Sequence, residues 1–248
     1  MLRTFRYPLT PTSAQEAELE RQLEYYRTLY NAALEERRNG WKFHRKSIAW
    51  MDQCHSWVEL RHEDEEARSM SSLVGQQLFR RLDNAFAAFF RRCKSGKTPG
   101  YPRFKGRERF RSFDIGSQPI FANDDTSKKA FIKVPKIGHI RFKRYRPLQG
   151  TVKNVTIKCE NDGKWFVLFK CDLGAAPQKV APNTLIGIDL GLSTLVATDD
   201  GQLIDNPRFA AKAQAKLAQR QRRLALKRKG SKSRKRAKRL VSRANTHI

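Results

Sequence analysis

Residues 185–191 read Leu-Ile-Gly-Ile-Asp-Leu-Gly, an apolar run that holds one carboxylate, at Asp189. A continuous apolar run of this length predicts a buried strand. An ionised carboxylate in such a strand is costly unless it is paired or binds a metal ion. The flanking Gly187 and Gly191 let backbone, metal or phosphate approach closely. The alternative is an aspartate that faces solvent at a strand end.

The sequence after this run predicts a small β unit. A turn follows at Leu192-Ser193, residues 194–198 predict a second strand, and Asp199-Asp200-Gly201 predict another turn. Nucleases of the ribonuclease-H type place their first aspartate on such a strand, where later carboxylates complete a two-magnesium site. Asp189 is therefore the candidate catalytic residue and the candidate magnesium ligand.

A rival interpretation concerns the same residues. Residues 188–193 also resemble the first phosphate loop of actin-like and sugar-kinase-like ATPases, which share the ribonuclease-H-like core. Those enzymes need a second full domain to enclose the nucleotide, whereas 59 residues follow Asp189 here. The nuclease interpretation is therefore preferred to that of an actin-like ATPase fragment.

The charge of the chain is strongly positive and unevenly distributed. The formal net charge is +27, no Asp or Glu follows Asp205, and residues 206–248 contain 16 Lys and Arg. A compact domain with this charge repels itself, so we expect a polyanion as its partner. Residues 208–248 predict a long basic helix, interrupted near Gly230-Ser231. Its candidate contacts to nucleic acid are Arg220, Arg223, Lys227, Arg234 and Arg236.

The N-terminal part predicts a strand followed by a helix. Residues 2–9 read as a short strand, and Ser13 with Glu16 has the spacing of a capping box. Apolar residues at spacings of three and four carry the helix to about Arg38, where Asn39-Gly40 provides a stop.

The next segment predicts further helical structure. Residues 41–68 favour a helical or irregular linker with one buried side. A second clear helix begins near Ser71 or Ser72 and ends at Ser95-Gly96. Two such helices imply a small helical subdomain.

An extended arm, residues 97–107, follows these helices. Its Pro and Gly residues exclude a regular helix, and its aromatic and basic residues interleave. The basic residues are suited to phosphates and the rings to stacking on bases. The alternative is an ordinary loop with solvated lysines and buried aromatics. The candidate nucleic-acid-binding residues of the arm are Lys97, Tyr101, Arg103, Phe104 and Lys105.

A region of strands lies between the arm and residue 175. The segments that read as strands are 130–134, 137–142, 155–159 and 165–171. The last two predict a hairpin, because Asp162-Gly163 lies in the turn between them. This region predicts a β-barrel or a curved antiparallel sheet, and residues 175–182 predict a linker.

Cysteine usage and hydropathy exclude several classes of protein. Cys54, Cys93, Cys159 and Cys171 form no CxxC pair, which predicts reduced core thiols and no zinc site. No apolar run is long enough to cross a bilayer, so we expect no membrane partner. A cytoplasmic, nucleoid-associated location follows as the expectation, and the sequence indicates no oligomeric state.

Several motifs together resemble those of the OrfB/TnpB-type transposases of bacterial insertion sequences, which are relatives of the type V CRISPR nucleases. The motifs occur in the family's order and cover nearly the whole chain: Gly96-Lys97-Thr98-Pro99-Gly100-Tyr101-Pro102-Arg103-Phe104-Lys105, then residues 164–169, then residues 186–192 with Asp205-Asn206-Pro207-Arg208.

The resemblance implies an α+β multidomain fold. A wedge-like β-barrel would comprise residues 1–10 and 106–176, with an inserted helical recognition domain at 11–105. Residues 183–248 would be the start of a ribonuclease-H-like (RuvC) α/β domain with a basic helical tail. Such proteins bind a guide RNA made from the element's end and cut DNA with magnesium. Asp189 would be the first RuvC carboxylate.

The sequence departs from the family pattern after Asp205. The family continues with a catalytic Glu, a zinc finger with CxxC pairs and a final Asp, and these 248 residues contain none of them. We therefore expect a C-terminally truncated homologue that binds RNA and DNA without cutting. A non-catalytic, repressor-like derivative is the alternative.

Overall fold

The computed structural model describes residues 1–116, 120–122, 129–175 and 185–246. These residues form a mixed α/β structure with six helices and ten strands. They divide into a first unit, residues 1–160 with 164–175, and a second unit, residues 161–163 with 185–246. Within the described ranges, no helix combines the length and the apolar character that crossing a bilayer requires.

The first unit contains four helices and seven strands. In chain order they are β1 (Leu2–Pro8), α1 (Ser13–His44), α2 (Trp50–Glu63), α3 (Glu65–Ser69), α4 (Ser72–Lys94), β2 (Ser112–Gly116), β3 (Ile120–Ala122), β4 (Lys129–Val134), β5 (Gly138–Lys143), β6 (Thr151–Cys159) and β7 (Trp165–Asp172). Helices and sheets share one hydrophobic core, in which Tyr26 of α1 packs its ring 5.5 Å from that of Phe113 of β2. The residues predicted as barrel and those predicted as inserted helical domain thus lie in one compact unit.

The strands of the first unit form two open antiparallel sheets. One has the order β1-β7-β6-β2, and the other has the order β3-β4-β5. An isolated bridge between Leu9 and Phe142 connects them. The predicted hairpin is confirmed, since β6 pairs with β7 and Cys159 lies opposite Trp165 beside the turn. The buried residues alternate along β6, as expected for a sheet with one covered face.

The start of α1 lies one residue before the predicted position. Thr12 is the N-cap: its side chain accepts a hydrogen bond from the Gln15 amide, and the Gln15 side chain accepts one from the Thr12 amide. The predicted pair of Ser13 and Glu16 was therefore wrong. Both pairs have the same three-residue spacing, and Thr12 with Gln15 meets the capping-box pattern equally well.

The end of α1 also differs from the prediction. The helix continues through Asn39-Gly40 to His44, and Arg45 adopts the left-handed conformation after it. Gly40 serves a different purpose, because a Cβ there would lie 2.8 Å from Cδ1 of Ile48. Because Gly40 has no side chain, the segment that follows α1 can pack against the helix at Ile48. Gly40 is therefore a packing position and not a helix stop.

Residues 41–68, predicted as a helical or irregular linker with one buried side, are mostly helical. Helix α2 buries Trp57, whose Nε1 donates to the Ser72 carbonyl at 3.3 Å. Trp57 packs directly over Gly75 of α4, where an added Cβ would lie 2.3 Å from Nε1. Helix α4 itself has the predicted bounds, although its burial stops at Leu82 and leaves the later aromatic residues partly exposed.

A buried polar network joins three helices. Arg37 of α1 donates to Oε1 of Gln53 at 2.9 Å and to Oδ1 of Asp83 at 3.0 Å. Gln53 of α2 in turn donates to the Ala33 carbonyl at 2.8 Å. Removing one member would leave buried partners unsatisfied, so the network fixes how α1, α2 and α4 pack together.

The cysteines match the prediction in three cases out of four. All are reduced, and Cys54, Cys159 and Cys171 are buried. Burial raises the pKa of the Cys54 and Cys171 thiols. Cys93 is exposed, which corrects its assignment to the core: it lies on the last turns of α4, beyond the buried part of that helix.

The second unit is a small sheet followed by two helices. Its elements are β8 (Ile188–Asp189), β9 (Thr194–Thr198), β10 (Leu203–Asp205), α5 (Phe209–Ala225) and α6 (Lys232–Asn245). The sheet is antiparallel with the order β10-β9-β8. The predicted interruption of the basic helix is confirmed, because α5 and α6 are separate helices on either side of Gly230-Ser231. The predicted linker at 175–182 falls almost entirely outside the described residues.

Replacing Gly75 with alanine should destabilise the first unit. The new Cβ would overlap the indole of Trp57, which is 1% exposed and cannot move away. Overpacking of this kind costs about 1–3 kcal/mol, more than the roughly 1 kcal/mol gained in helix propensity. The measurement is the free energy of unfolding in urea. Gly106→Ala is the control, because no atom lies within 4 Å of its added Cβ and its φ is ordinary; equal stability of the two variants would contradict the packing argument.

Candidate nucleic-acid interface

The C-terminal end of the arm (residues 97–107) is anchored to helix α1. The Lys105 amide donates to Oδ1 of Asn31 at 2.8 Å, and Nδ2 of Asn31 donates to the Lys105 carbonyl at 3.0 Å. Arg27 also donates to the Lys105 carbonyl, at 3.3 Å. Asn31 therefore satisfies both backbone groups of one arm residue, as a neighbouring strand would.

The other end of the arm packs against helix α4. The Tyr101 ring makes edge-to-face contacts with Phe86 and Phe89, with ring centroids 5.5 and 5.3 Å apart. Arg92 donates to the Gly100 carbonyl at 3.1 Å. The later aromatic residues of α4 thus support the Tyr101 ring. The arm has no regular structure between these two anchors, as predicted.

A cleft lies between the arm and α1. Its volume is about 380 Å³. The residues that line it are Leu34, Arg38, Tyr101, Pro102, Arg103 and Phe104. Tyr101 and Phe104 are each 44% exposed, so a large part of both rings is accessible. The cleft combines apolar walls, two aromatic rings and two guanidinium groups, which is a suitable chemistry for bases and phosphates.

The predicted arm residues differ in their positions. Tyr101, Arg103 and Phe104 line the cleft, whereas Lys97 is exposed outside its lining. Lys105 is half-buried, and its Nζ lies 6.0 Å from the centroid of the Tyr30 ring. Burial raises the pKa of Tyr30, so this ring stays neutral beside the ammonium group. Lys105 therefore anchors the arm through its backbone and rests on an aromatic face through its side chain.

Three residues of the site were missed by the sequence analysis: Asn31, Leu34 and Arg38. They lie on one face of α1, because their spacings are three and four residues. The sequence does hold one signal for them: Asn31 and Arg38 are polar residues on the apolar face of an otherwise amphipathic helix. Their proximity to the arm depends on a contact more than sixty residues away in sequence.

The basic helices of the second unit form a hairpin. Arg220 of α5 donates to the Leu240 carbonyl at 2.7 Å. Arg234 of α6 donates to the Leu224 carbonyl at 3.1 Å and to the Lys227 carbonyl at 2.8 Å. These two arginines, predicted as nucleic-acid contacts, hold the hairpin together. The other predicted residues, Arg223, Lys227 and Arg236, are exposed.

Asp189 lies on an exposed strand. The prediction of a buried strand was wrong, since Ile188 is 62% exposed and Leu190 is 75% exposed. Strand β8 is two residues long and lies at the edge of its sheet, and α5 and α6 pack against each other. An apolar run is buried only when a second layer covers it. The flanking Gly191 does allow a close approach, as predicted, because an added Cβ would lie 2.8 Å from the Thr194 carbonyl oxygen.

The other carboxylates near Asp189 are used in turns. Asp189 lies opposite Ala197 in the sheet. Asp199 accepts from the Gly187 amide at 2.8 Å. Asp200 accepts from the Thr198 hydroxyl, and this hydrogen bond is the main cause of the lowered pKa of Asp200. Throughout the residues that the structure describes, no three His, Cys, Asp or Glu side chains come together as a metal site. The donor set around Asp189 therefore does not fit a magnesium ion.

Asn206 connects the loop after Asp189 to the basic hairpin. Its Nδ2 donates to the Leu192 carbonyl at 2.9 Å, and its Oδ1 accepts from the Arg208 amide at 2.9 Å. Arg208 has a positive φ immediately before α5. The side chain thus fixes the point at which α5 leaves the sheet, which gives the motif residue Asn206 a structural role.

Two family models match the chain. The OrfB_IS605 model, described as "Probable transposase", matches residues 156–248. The HTH_OrfB_IS605 model, described as "Helix-turn-helix domain", matches residues 1–46. In this structure, residues 1–46 comprise β1 and the single helix α1 with its cap, so that description does not apply to the fold seen here.

Two curated relatives are similar along the whole chain. A protein of Streptomyces pristinaespiralis named "Putative RNA-guided DNA endonuclease" is 32% identical over 99% of this chain and 60% of the relative. The "Putative RNA-guided DNA endonuclease InsQ" of Escherichia coli is 28% identical over 100% of this chain and 60% of the relative. The chain therefore spans 60% of the length of each relative.

Two solved structures are similar at low identity. One is the CRISPR-Cas12f ternary complex, with a TM-score of 0.46, 15% identity, and coverage of 89% of this chain and 55% of that chain. The other is the Cas12f1–sgRNA–target DNA complex, with a TM-score of 0.38, 15% identity, and coverage of 92% and 62%.

Removing the side chain of Asn31 should release the arm. In Asn31→Ala the Lys105 amide loses its partner and the Lys105 carbonyl keeps the one from Arg27, and each lost hydrogen bond contributes about 1 kcal/mol. We expect the Lys105 amide to exchange with deuterium on the order of ten times faster, measured by hydrogen-exchange mass spectrometry over the arm. Asn39→Ala, at an exposed position of the same helix, is the control. Unchanged exchange in Asn31→Ala would mean that the arm is held by other contacts.

Proposed function

Because the chain belongs to the OrfB family of transposases, we propose that it binds RNA and DNA through the arm and the basic hairpin. The bound RNA would be a guide made from the end of the mobile element, and the DNA its target. The names of the two curated relatives support an RNA-guided role, and the chemistry of the described surfaces supports binding to phosphate backbones. The two sheets of the first unit would then correspond to a wedge-like barrel, and β8–β10 to the start of a RuvC domain.

The observation that carries this proposal is the charge of the α5–α6 hairpin. Residues 206–246 contain no carboxylate, so the exposed Arg223, Lys227 and Arg236 have no acidic residue in the hairpin to balance them. A polyanion with regularly spaced phosphates supplies that balance and releases its own counterions on binding. The hairpin carries no base-reading element of its own, so this contribution is independent of sequence.

The catalytic part of the proposal is that these 248 residues alone do not cut DNA. Phosphodiester hydrolysis of the RuvC type needs two magnesium ions held by several carboxylates. Asp189 is the one residue here that matches the position of the first RuvC carboxylate. The neighbouring Asp199 and Asp200 hold turn amides instead.

Binding should depend steeply on salt, and the exposed arginines of the hairpin should set part of that dependence. A protein that contacts about six to ten phosphates loses affinity on the order of a thousandfold when the salt concentration rises from about 50 to about 200 mM. Arg223→Ala combined with Arg236→Ala should lower the slope of log K against log salt by about 2. The measurement is fluorescence anisotropy with a labelled DNA duplex at four salt concentrations.

The matched control removes two positive charges elsewhere. Arg21 and Arg111 are each ion-paired with a glutamate three residues before them, Glu18 and Glu108. Arg21→Ala combined with Arg111→Ala should leave the slope nearly unchanged. An equal effect of both double variants would show that net charge, and not the hairpin surface, determines binding.

The polypeptide should not cleave DNA in the presence of magnesium. Supercoiled plasmid incubated with the purified chain, magnesium and RNA from the element's end should remain supercoiled on an agarose gel. A magnesium-dependent nuclease in the same buffer controls for substrate and metal. Cutting that disappears in Asp189→Ala would contradict the proposal, because it would show that this aspartate has sufficient partners within the 248 residues.

A further inference from the structure

The cleft between α1 and the arm has the composition of a site for one nucleotide. Its lining contains two partly exposed rings, Tyr101 and Phe104, and two guanidinium groups, those of Arg38 and Arg103. No acidic residue lines it. We propose that this cleft takes one unpaired nucleotide of a single-stranded segment, with its base against the rings and its flanking phosphates on the two arginines.

The size of the cleft supports one occupant of this kind. A volume of about 380 Å³ lies at the small end of the roughly 300–1,000 Å³ that ligand pockets occupy. A duplex would not enter, because its bases are stacked and paired inside the helix. Extrusion of a base from a duplex carries an unstacking and unpairing penalty, which an unpaired strand avoids. The site therefore favours single strands over duplexes.

The walls of the cleft are held in place before any ligand binds. Asn31 fixes the arm at Lys105, Arg92 holds the Gly100 carbonyl, and the Tyr101 ring rests on Phe86 and Phe89. Leu34 at the base of the cleft is 1% exposed and belongs to the hydrophobic core. A preorganised site loses less conformational entropy on binding, so stacking on these rings contributes directly to affinity.

Recognition would be by stacking and charge. Aromatic rings stack on any base, because every base has a π face, and guanidinium groups bind phosphates of DNA and RNA alike. The ligand class is therefore a short unpaired DNA or RNA segment without a fixed sequence. This inference rests on the proposed nucleic-acid function and locates one part of it. It places Arg38 and Leu34 of α1 in a binding site, although neither residue belongs to the sequence motif of the arm.

The test compares oligonucleotides that differ only in their bases. The probes are a thymidine tetranucleotide, a uridine tetranucleotide, and a tetramer of abasic deoxyribose phosphates with the same charge. Stacking on an aromatic residue is worth roughly a 5- to 100-fold change in affinity per base. We expect the full-length chain to bind at least one of the two base-bearing tetramers more tightly than the abasic tetramer by that factor. Comparison of the thymidine and uridine tetranucleotides shows whether the cleft accepts DNA or RNA.

Variants assign the effect to the cleft. Tyr101→Ala and Phe104→Ala should each remove the preference for bases while leaving affinity for the abasic tetramer nearly unchanged. Tyr101→Phe should retain the preference, because it keeps the ring. The matched control is Phe43→Ala, since Phe43 is a 65% exposed ring beside Lys42 that does not line the cleft.

A second readout does not depend on the stability of the variants. A tetranucleotide containing 2-aminopurine should lose fluorescence on binding the unmodified chain, because stacking on a ring quenches this base. Equal affinity for all three tetramers with no quenching would overturn the stacking cleft and leave the charge-driven binding of the proposed function intact. Absence of binding to every tetramer and to duplex DNA at low salt would instead overturn the proposed function itself.

Discussion

The chain has many more positively charged side chains than carboxylates, and this excess constrains how both units hold their arginines. In the first unit, arginines are neutralised locally: Arg21 pairs with Glu18, Arg27 with Glu24, and Arg37 with Asp83. In the second unit, residues 206–248 contain no acidic side chain, and Arg220 and Arg234 donate to backbone carbonyls instead. Arg234 binds the carbonyls at the end of α5, where the helix dipole is negative and favours a cation.

Arginines paired with carboxylates and arginines bound to backbone carbonyls produce surfaces of different electrostatic potential. A cation paired with a neighbouring carboxylate offers little net attraction to a phosphate, because the local field is already balanced. The exposed Arg223, Lys227 and Arg236 have no acidic residue within the hairpin, so their field extends into solvent within the Debye length. Under the two proposals, the hairpin would supply long-range attraction, and the cleft of the first unit would supply short-range contacts to bases. Attraction and recognition would then be carried by separate units of the chain.

Local sequence patterns predicted the elements whose formation depends on neighbours in the chain. Helix α4 was predicted with its bounds and the β6–β7 hairpin with its turn, because turn chemistry and the 3.6-residue period are local, although β6 begins at Thr151, before the predicted strand. Gly40 misled the prediction, since a glycine after an asparagine resembles a helix stop but here accommodates Ile48. The arm residues Tyr101, Arg103 and Phe104 were found because they are contiguous. Arg38 was not, because its place in the cleft depends on how the arm folds back onto α1.

The error at Asp189 has a physical consequence for the role proposed for it. The apolar run predicted a buried carboxylate that needs a partner, whereas the exposed Asp189 is hydrated and needs none. Any element that covered β8 would bury Ile188 and Leu190 together with the aspartate, since all three belong to the same exposed run. Apolar burial would then favour covering the strand, and desolvation of Asp189 would oppose it unless a cation were bound at the same time. Under the role proposed for Asp189, covering this strand would therefore be favourable only if a cation bound the carboxylate at the same time.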